Sequence, residues 1–172
     1  MKLNILTEPN PILHKKCAKV NKFDAAIKNL ANDMVETLFA DNGVGLAAPQ
    51  LGKTIRMLVL EFNPKRFADL IDEEEKKEKI NNEIIPLTIL VNPKIISHNK
   101  ITDVMEEGCL SLPKKEFPVR RFTEIKVLAQ DVNGNRIKIK AKSLFARVLQ
   151  HEIDHLSGIL ITDKIEKIKN AK

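Results

Sequence analysis

The chain contains no tryptophan and no tyrosine, and its seven aromatic residues are all phenylalanine. A core must therefore come mainly from Ile, Leu and Val. No stretch approaches the roughly 20 apolar residues of a membrane span. The opening MKLNILTEPNPILHKK has no apolar centre of about 7–15 residues and no small-residue cleavage site, so it is not read as a secretory leader. These absences argue for a cytoplasmic protein with no membrane partner. There are two cysteines, Cys17 and Cys109, too few for a disulfide framework in a chain of this size. Each is then a ligand, a nucleophile or core filling. Aromatic residues interleaved with basic ones are also missing, which excludes RRM-type or OB-type reading of nucleic acid and any sequence-specific nucleic-acid partner.

At 172 residues the chain is long enough to bury a substantial core as one domain. The formal net charge is +6, but the lysines are scattered along the sequence rather than massed, so solvated surface lysine is the simplest account of them.

Lys22 to Asp41 carries Phe23, Ile27, Leu30, Ala31, Met34, Val35, Leu38 and Phe39 at helical spacing. Asp24 offers the N-terminal cap and Asn42-Gly43 the stop. After the small, turn-prone GVGLAAPQLG comes IRMLVLEF (Ile55 to Phe62), an apolar strand-type run. Asn63 to Pro86, centred on EEEKKEK, breaks the pattern and reads as a surface insertion between strands. Strand character resumes at Leu87 to Asn92 and at Lys94 to His98. Glu124 to Gln130 and Arg136 to Ala141 flank an Asn133-Gly134 hairpin signal. Ser143 to Leu156 forms a second helix with Phe145, Leu149, Ile153 and Leu156 on one side. Leu144, Val148, His151, Glu152 and His155 occupy the other side, half apolar, so this helix should be buried on most sides. Strands and two helices without βαβ alternation indicate an α+β fold. The expectation is one catalytic domain over 1–172, with short antiparallel sheets packed around the second helix.

That helix contains QHEIDHLSG, Gln150 to Gly158. At about 100° per residue, His151 and His155 share one face, with Glu152 beside them. Two imidazoles one turn apart can hold a divalent ion and set a carboxylate next to its open position. A third ligand is still needed. The metzincin extension would place histidine at position 161, which is Ile. A thermolysin-type downstream glutamate has one candidate, Glu166, in a lysine-rich tail. The ligand is then sought upstream, among Cys17, Cys109, His14 and His98. Residue type and setting favour Cys109, which stands in EEGCLSLP between a glycine and a proline.

GVGLAAPQ (43–50), EGCLSLP (107–113) and QHEIDHLSG (150–158) occur in this order. Together they resemble the three signature motifs of the peptide deformylases. HExxH alone is a weak signal; three motifs in matching order are specific, and the likeness extends over nearly the whole chain, including the opening ILTEPNPIL. The resemblance implies removal of the formyl group from formyl-methionine on newly made polypeptides, with release of formate. It implies that Cys109, His151 and His155 hold one divalent ion, Fe²⁺ in cells and Zn²⁺, Ni²⁺ or Co²⁺ in preparations. Glu152 would be the general base. The Gln50 side-chain amide and the Leu110 backbone N–H would donate to the oxyanion, each typically worth about 2.7–4 kcal/mol. Gly43, Val44 and Gly45 offer a backbone edge to an extended peptide, and Val44, Leu144 and Val148 are expected walls of an apolar methionine pocket. Glu107 is expected to brace the cysteine loop by pairing with Arg121, and Asp154 to serve a structural pair. The partners implied are formyl-Met nascent peptides and a transient ribosome contact. For the latter the short tail offers Lys164, Lys167, Lys169 and Lys172.

Three rival readings make distinct demands. An HExxH zinc peptidase would cleave internal peptide bonds. An inactive metal- or peptide-binding relative would hold metal without turnover. A hydrolase with Cys109 as nucleophile would survive chelation.

Overall fold

The computed structural model describes residues 1–67 and 84–165. The first helix, α1, runs Ala25–Ala40, and its expected cap is in place: the Asp24 carboxylate accepts from the N–H groups of Ala26 and Ile27 at 3.0 and 3.3 Å. The helix stops where Asn42 takes a positive φ of 51° and the Gly43 N–H donates back to Leu38 O at 2.9 Å. Then follow β1 (Gly45–Ala47), a 3₁₀ turn at Ala48–Leu51, β2 (Met57–Phe62) and a short helical turn α2 (Pro64–Phe67). Strand β3 spans Ile85–His98, β4 Thr102–Cys109, β5 Leu112–Phe122, β6 Glu124–Gln130 and β7 Arg136–Lys142. The last long helix, α3, is Ser143–His155.

One antiparallel sheet has the order β1-β2-β3-β6-β7; β4 and β5 form a separate antiparallel ribbon. The apolar run of β2 follows from its position. Met57 and Val59 pack with Ala31, Met34 and Leu38 of α1, while Leu58 and Leu60 pack with Ala146, Leu149 and Ile153 of α3. A strand covered on both faces has no polar side to present, so its sequence cannot alternate. On β7 only one face is covered, and RIKIKAK alternates accordingly, with Ile137, Ile139 and Ala141 inward and the basic residues exposed.

The sequence reading and the structure part in three places. Leu87 to Asn92 and Lys94 to His98 are one strand interrupted by a bulge. At the joint Asn92 has φ 54°, and its side chain reaches both the backbone of Val20 and the Gln130 side chain. The β4–β5 ribbon was not anticipated, because TDVMEEGC and LPKKEFPVRRF are polar and carry Pro113 and Pro118. In a two-stranded ribbon each strand has a free edge, where a missing N–H costs little. The expected insertion at 63–86 is narrower than drawn, since 64–67 form the α2 turn and Ile85-Pro86 already belong to β3; its centre, 68–83, lies outside the described residues. Among the described residues no helix is long and apolar enough to cross a membrane.

Candidate metal centre

Helix α3 sets His151 and His155 one turn apart, and the last residue of β4 brings Cys109 to them. The two Nε2 atoms are 3.2 Å apart, and the Cys109 sulfur is 3.3 Å from His155 Nε2. Sulfur and both nitrogens lie within 4.8 Å of one another. A thiol and two imidazoles are a nitrogen–sulfur donor set suited to a borderline divalent ion. His151 Nδ1 lies 3.0 Å from Glu107 Oε2, the carboxylate–histidine arrangement that orients an imidazole and frees its other nitrogen for a metal. The donors therefore fit the ion that the motif implies.

Glu107 is the hub of a buried charge network. Arg121 meets both of its oxygens, at 3.0 and 2.9 Å, as expected, and Arg147 donates to Oε1 at 2.6 Å. Arg121 also pairs with Asp154, and Arg147 with Asp103. Burial alone would raise the Glu107 carboxyl, but hydrogen bonds from His151 and Arg121 outweigh it and hold the group at about 2. The network ties the ribbon to α3 and so fixes Cys109 against the histidines. Gln150 adds a second tie, accepting from Phe122 N at 3.1 Å and donating to Phe122 O at 2.8 Å.

Glu152 is 3% exposed, and its Oε2 has no protein hydrogen-bond partner. Burial pushes its carboxyl up to about 7, against the opposing charge of His151. Gly45 makes room for it: a Cβ there would lie 2.3 Å from Glu152 Oε1. The Gln50 side chain is clamped by its own turn, with Oε1 accepting from Ala47 N at 2.8 Å. Its Nε2 is thereby aimed at Ser111 Oγ (3.1 Å) and the Cys109 sulfur (3.6 Å).

A cleft of about 860 Å³ opens over this centre. Its lining includes Gly43, Val44, Gly45, Gln50, Cys109 and Leu110 from the loops, and Leu144, Val148, His151 and Glu152 from α3. Of the expected catalytic, substrate-binding and metal-holding residues, only His155, 1% exposed, does not reach its wall. The others that had been weighed lie elsewhere. His14 pairs with Glu8 at 2.6 Å, His98 stacks on Phe122, and Cys17 is buried in the core.

The family model for polypeptide deformylases matches residues 2–171. The chain belongs to the polypeptide deformylase family. Among relatives, it is 43% identical over 155 residues to the peptide deformylase of Dictyoglomus thermophilum, covering 90% of this chain and 87% of that protein. It is 39% identical over 170 residues to that of Wolinella succinogenes, covering 99% and 92%. Among solved deformylases, the crystal structure from Thermotoga maritima shares 34% identity, covers 97% of this chain and 99% of its own, and superposes with a TM-score of 0.81. A class I type b deformylase from Acinetobacter baumannii, solved with Met-Ala-Ser bound, gives a TM-score of 0.83 at 28% identity, covering 96% and 99%. The fold is thus the mixed α/β deformylase fold of antiparallel sheets and a C-terminal helix, and the family's activity is metal-dependent.

Two residues of this deformylase centre had escaped the sequence reading. Arg147 sits one turn before His151, where its register with the histidine was the available signal. Ser111, 0% exposed and bonded to Gln50, lies inside the EGCLSLP motif itself.

Proposed function

We propose that this deformylase hydrolyses the N-formyl group of formyl-methionyl peptides with Glu152 as base and with Gln50 and Leu110 as oxyanion donors. Cys109, His151 and His155 would hold one divalent ion, which when bound acidifies water and polarises a carbonyl. Fe²⁺ is the proposed ion in cells, with Zn²⁺, Ni²⁺ or Co²⁺ replacing it in preparations, because affinity order alone does not select iron.

The observation that carries this reading is a buried carboxylate, matched to neutral pH, standing beside a Cys-His-His donor set at the floor of an open cleft. Glu152 accepts the proton of the attacking water at Oε2, the oxygen without a protein partner. It then delivers a proton to the amine nitrogen as the carbon–nitrogen bond breaks, leaving formate and a free methionine amine. Negative charge grows on the formyl oxygen as water adds. The Gln50 amide, already clamped, and the Leu110 N–H meet that charge without reorganising.

The substrate side is supported by topology. Strand β1 stands at the edge of the five-stranded sheet, paired only to β2. Gly43 N–H is already bonded to Leu38 O, Gly43 O to Arg66 and Val44 O to Glu61 N. Within the segment Gly43 to Gly45 it is therefore Gly45 that offers backbone on which an extended peptide adds as a further strand. Val44, Leu144 and Val148 form the apolar walls for methionine. The Acinetobacter baumannii deformylase holds Met-Ala-Ser, the peptide that loss of a formyl group from formyl-Met-Ala-Ser would leave. The same proposal takes the chain as a single catalytic unit acting in the cytoplasm, in transient contact with the ribosome.

Formate release from formyl-Met-Ala-Ser by Fe²⁺- or Ni²⁺-loaded protein, prepared without oxygen, tests the reading. Glu152→Ala should keep its metal and lose about 10²–10⁴ in rate, while Cys109→Ala should lose tight metal binding as measured by metal analysis. Formate release that survives both Glu152→Ala and chelation would refute the assignment, as would cleavage of internal peptide bonds in preference to the formyl group.

A further inference from the structure

The lysines that look scattered in the sequence are collected by the sheet. Directly opposed residues in an antiparallel pair share one face. Lys126 faces Lys140, Leu128 faces Lys138, Gln130 faces Arg136 and Glu124 faces Lys142 across β6 and β7, and Lys94 of β3 faces Leu128. This is the face turned away from α3, whose side chains pack on Ile125, Val127, Ala129 and Ala141. Helix α1 covers the same side of β2 and of β3 at Val91, but not β6 and β7. The result is an open face with six cations, Lys94, Lys126, Arg136, Lys138, Lys140 and Lys142, all exposed. One carboxylate, Glu124, stands among them and is already paired with Lys142 at 2.8 Å.

Two details set this face apart from ordinary solvated lysine. Like charges directly opposite on a sheet are destabilising, so Lys126 against Lys140 costs stability in the free protein. The Glu124 carboxyl is held below its usual range by its hydrogen bond to Lys142, with Lys140 adding to the positive field. A cavity of about 390 Å³ opens at the edge of the face, between Lys126, Lys140, His98 and Asn99.

We propose that this β6–β7 face docks the phosphate backbone of RNA. Along β7 the cations recur every second residue, so they form a straight row spaced by about 6.6–6.8 Å, a geometry for a run of backbone phosphates rather than for one anion. The exposed apolar side chains on the face are Leu128 and Ile96, and it carries no aromatic residue. It therefore has no platform for stacking bases, and two aliphatic side chains among six cations make a poor wedge for a lipid surface, which favours backbone contact without sequence preference. The choice of RNA over other polyanions rests on the proposed substrate, a polypeptide taken as it is made on an RNA template.

Binding of a fluorescein-labelled RNA hairpin to the metal-loaded full chain, followed by anisotropy, tests the proposal separately from formate release. Binding should weaken with salt, with a log–log slope of about −3 for four phosphates. Lys138→Glu with Lys140→Glu should weaken binding at least tenfold and flatten the slope by about two, with formate release from formyl-Met-Ala-Ser unchanged. Lys16→Glu with Lys53→Glu makes the same change in net charge away from this face and should weaken binding far less. Equal losses in the two double variants, no binding by the parent at low salt, or tighter binding to phosphatidylglycerol vesicles than to RNA would each overturn it. Loss of formate release in the parent would instead strike the deformylase reading and leave the binding result standing.

Discussion

At the scale of single residues, the centre depends as much on what is absent at one position as on what is present at others. Glu152 can lie against β1 only because residue 45 has no side chain, with the missing Cβ falling 2.3 Å from its carboxylate. Gly45→Ala should therefore displace the proposed base, Glu152, without touching any proposed metal ligand. The expected outcome is a loss of about 10²-fold in kcat, the scale of a 1 Å misplacement of a reacting group, with metal content unchanged by metal analysis. Equal activity in Gly45→Ala would mean that Glu152 has room to move and is not held by β1. Gln50 carries the complementary lesson: its carbonyl oxygen is spent on Ala47 N, so the amide can present only its donor edge to Ser111 and Cys109.

At the scale of elements, the ribbon β4–β5 and helix α3 are joined through Glu107. Replacing Arg147 by Met leaves Glu107 one partner poorer and should destabilise the fold by about 3–5 kcal/mol, read as a shift in the urea midpoint. The same hub predicts a pH dependence. The folded Glu107 carboxyl, at about 2, lies below its ordinary 4.5, so its ionised form stabilises the fold fully above pH 4.5. That contribution is lost as the pH falls from 4.5 towards 2. Urea midpoints measured across this window should drop in the parent, and the slope should be shallower in Glu107→Gln. A parent and variant with parallel slopes would remove Glu107 from the account of acid lability.

At the scale of the whole molecule, the proposed ion joins two parts of the fold far apart in chain order, the end of β4 and the last turns of α3, which the Glu107 network also ties together. Binding to the folded form alone stabilises it by mass action, about 4 kcal/mol when the free ion stands at a thousand times its dissociation constant. Chelation should therefore lower the thermal midpoint in step with the loss of formate release, and restoring Ni²⁺ should recover both. A midpoint indifferent to chelator would mean that Glu107 and its arginines hold the two parts together unaided.

Local pattern determined what local physics can carry. Helical spacing and the Asp24 cap marked α1, strict alternation marked β7, and the i, i+4 histidines with Glu152 marked the place of the proposed chemistry. Even the choice of Cys109 and the Glu107–Arg121 pair could be read from motif and charge. The ribbon could not, because its prolines and charges mimic a loop and only pairing with a partner makes them strands. Nor could the role of Arg147 and Ser111, the clash that keeps residue 45 a glycine, or the gathering of lysines on β6 and β7. Each of these depends on register between segments far apart in sequence, where one residue of slip turns every side chain to the other face. Long-range packing sets that register, so the tertiary structure alone decided it.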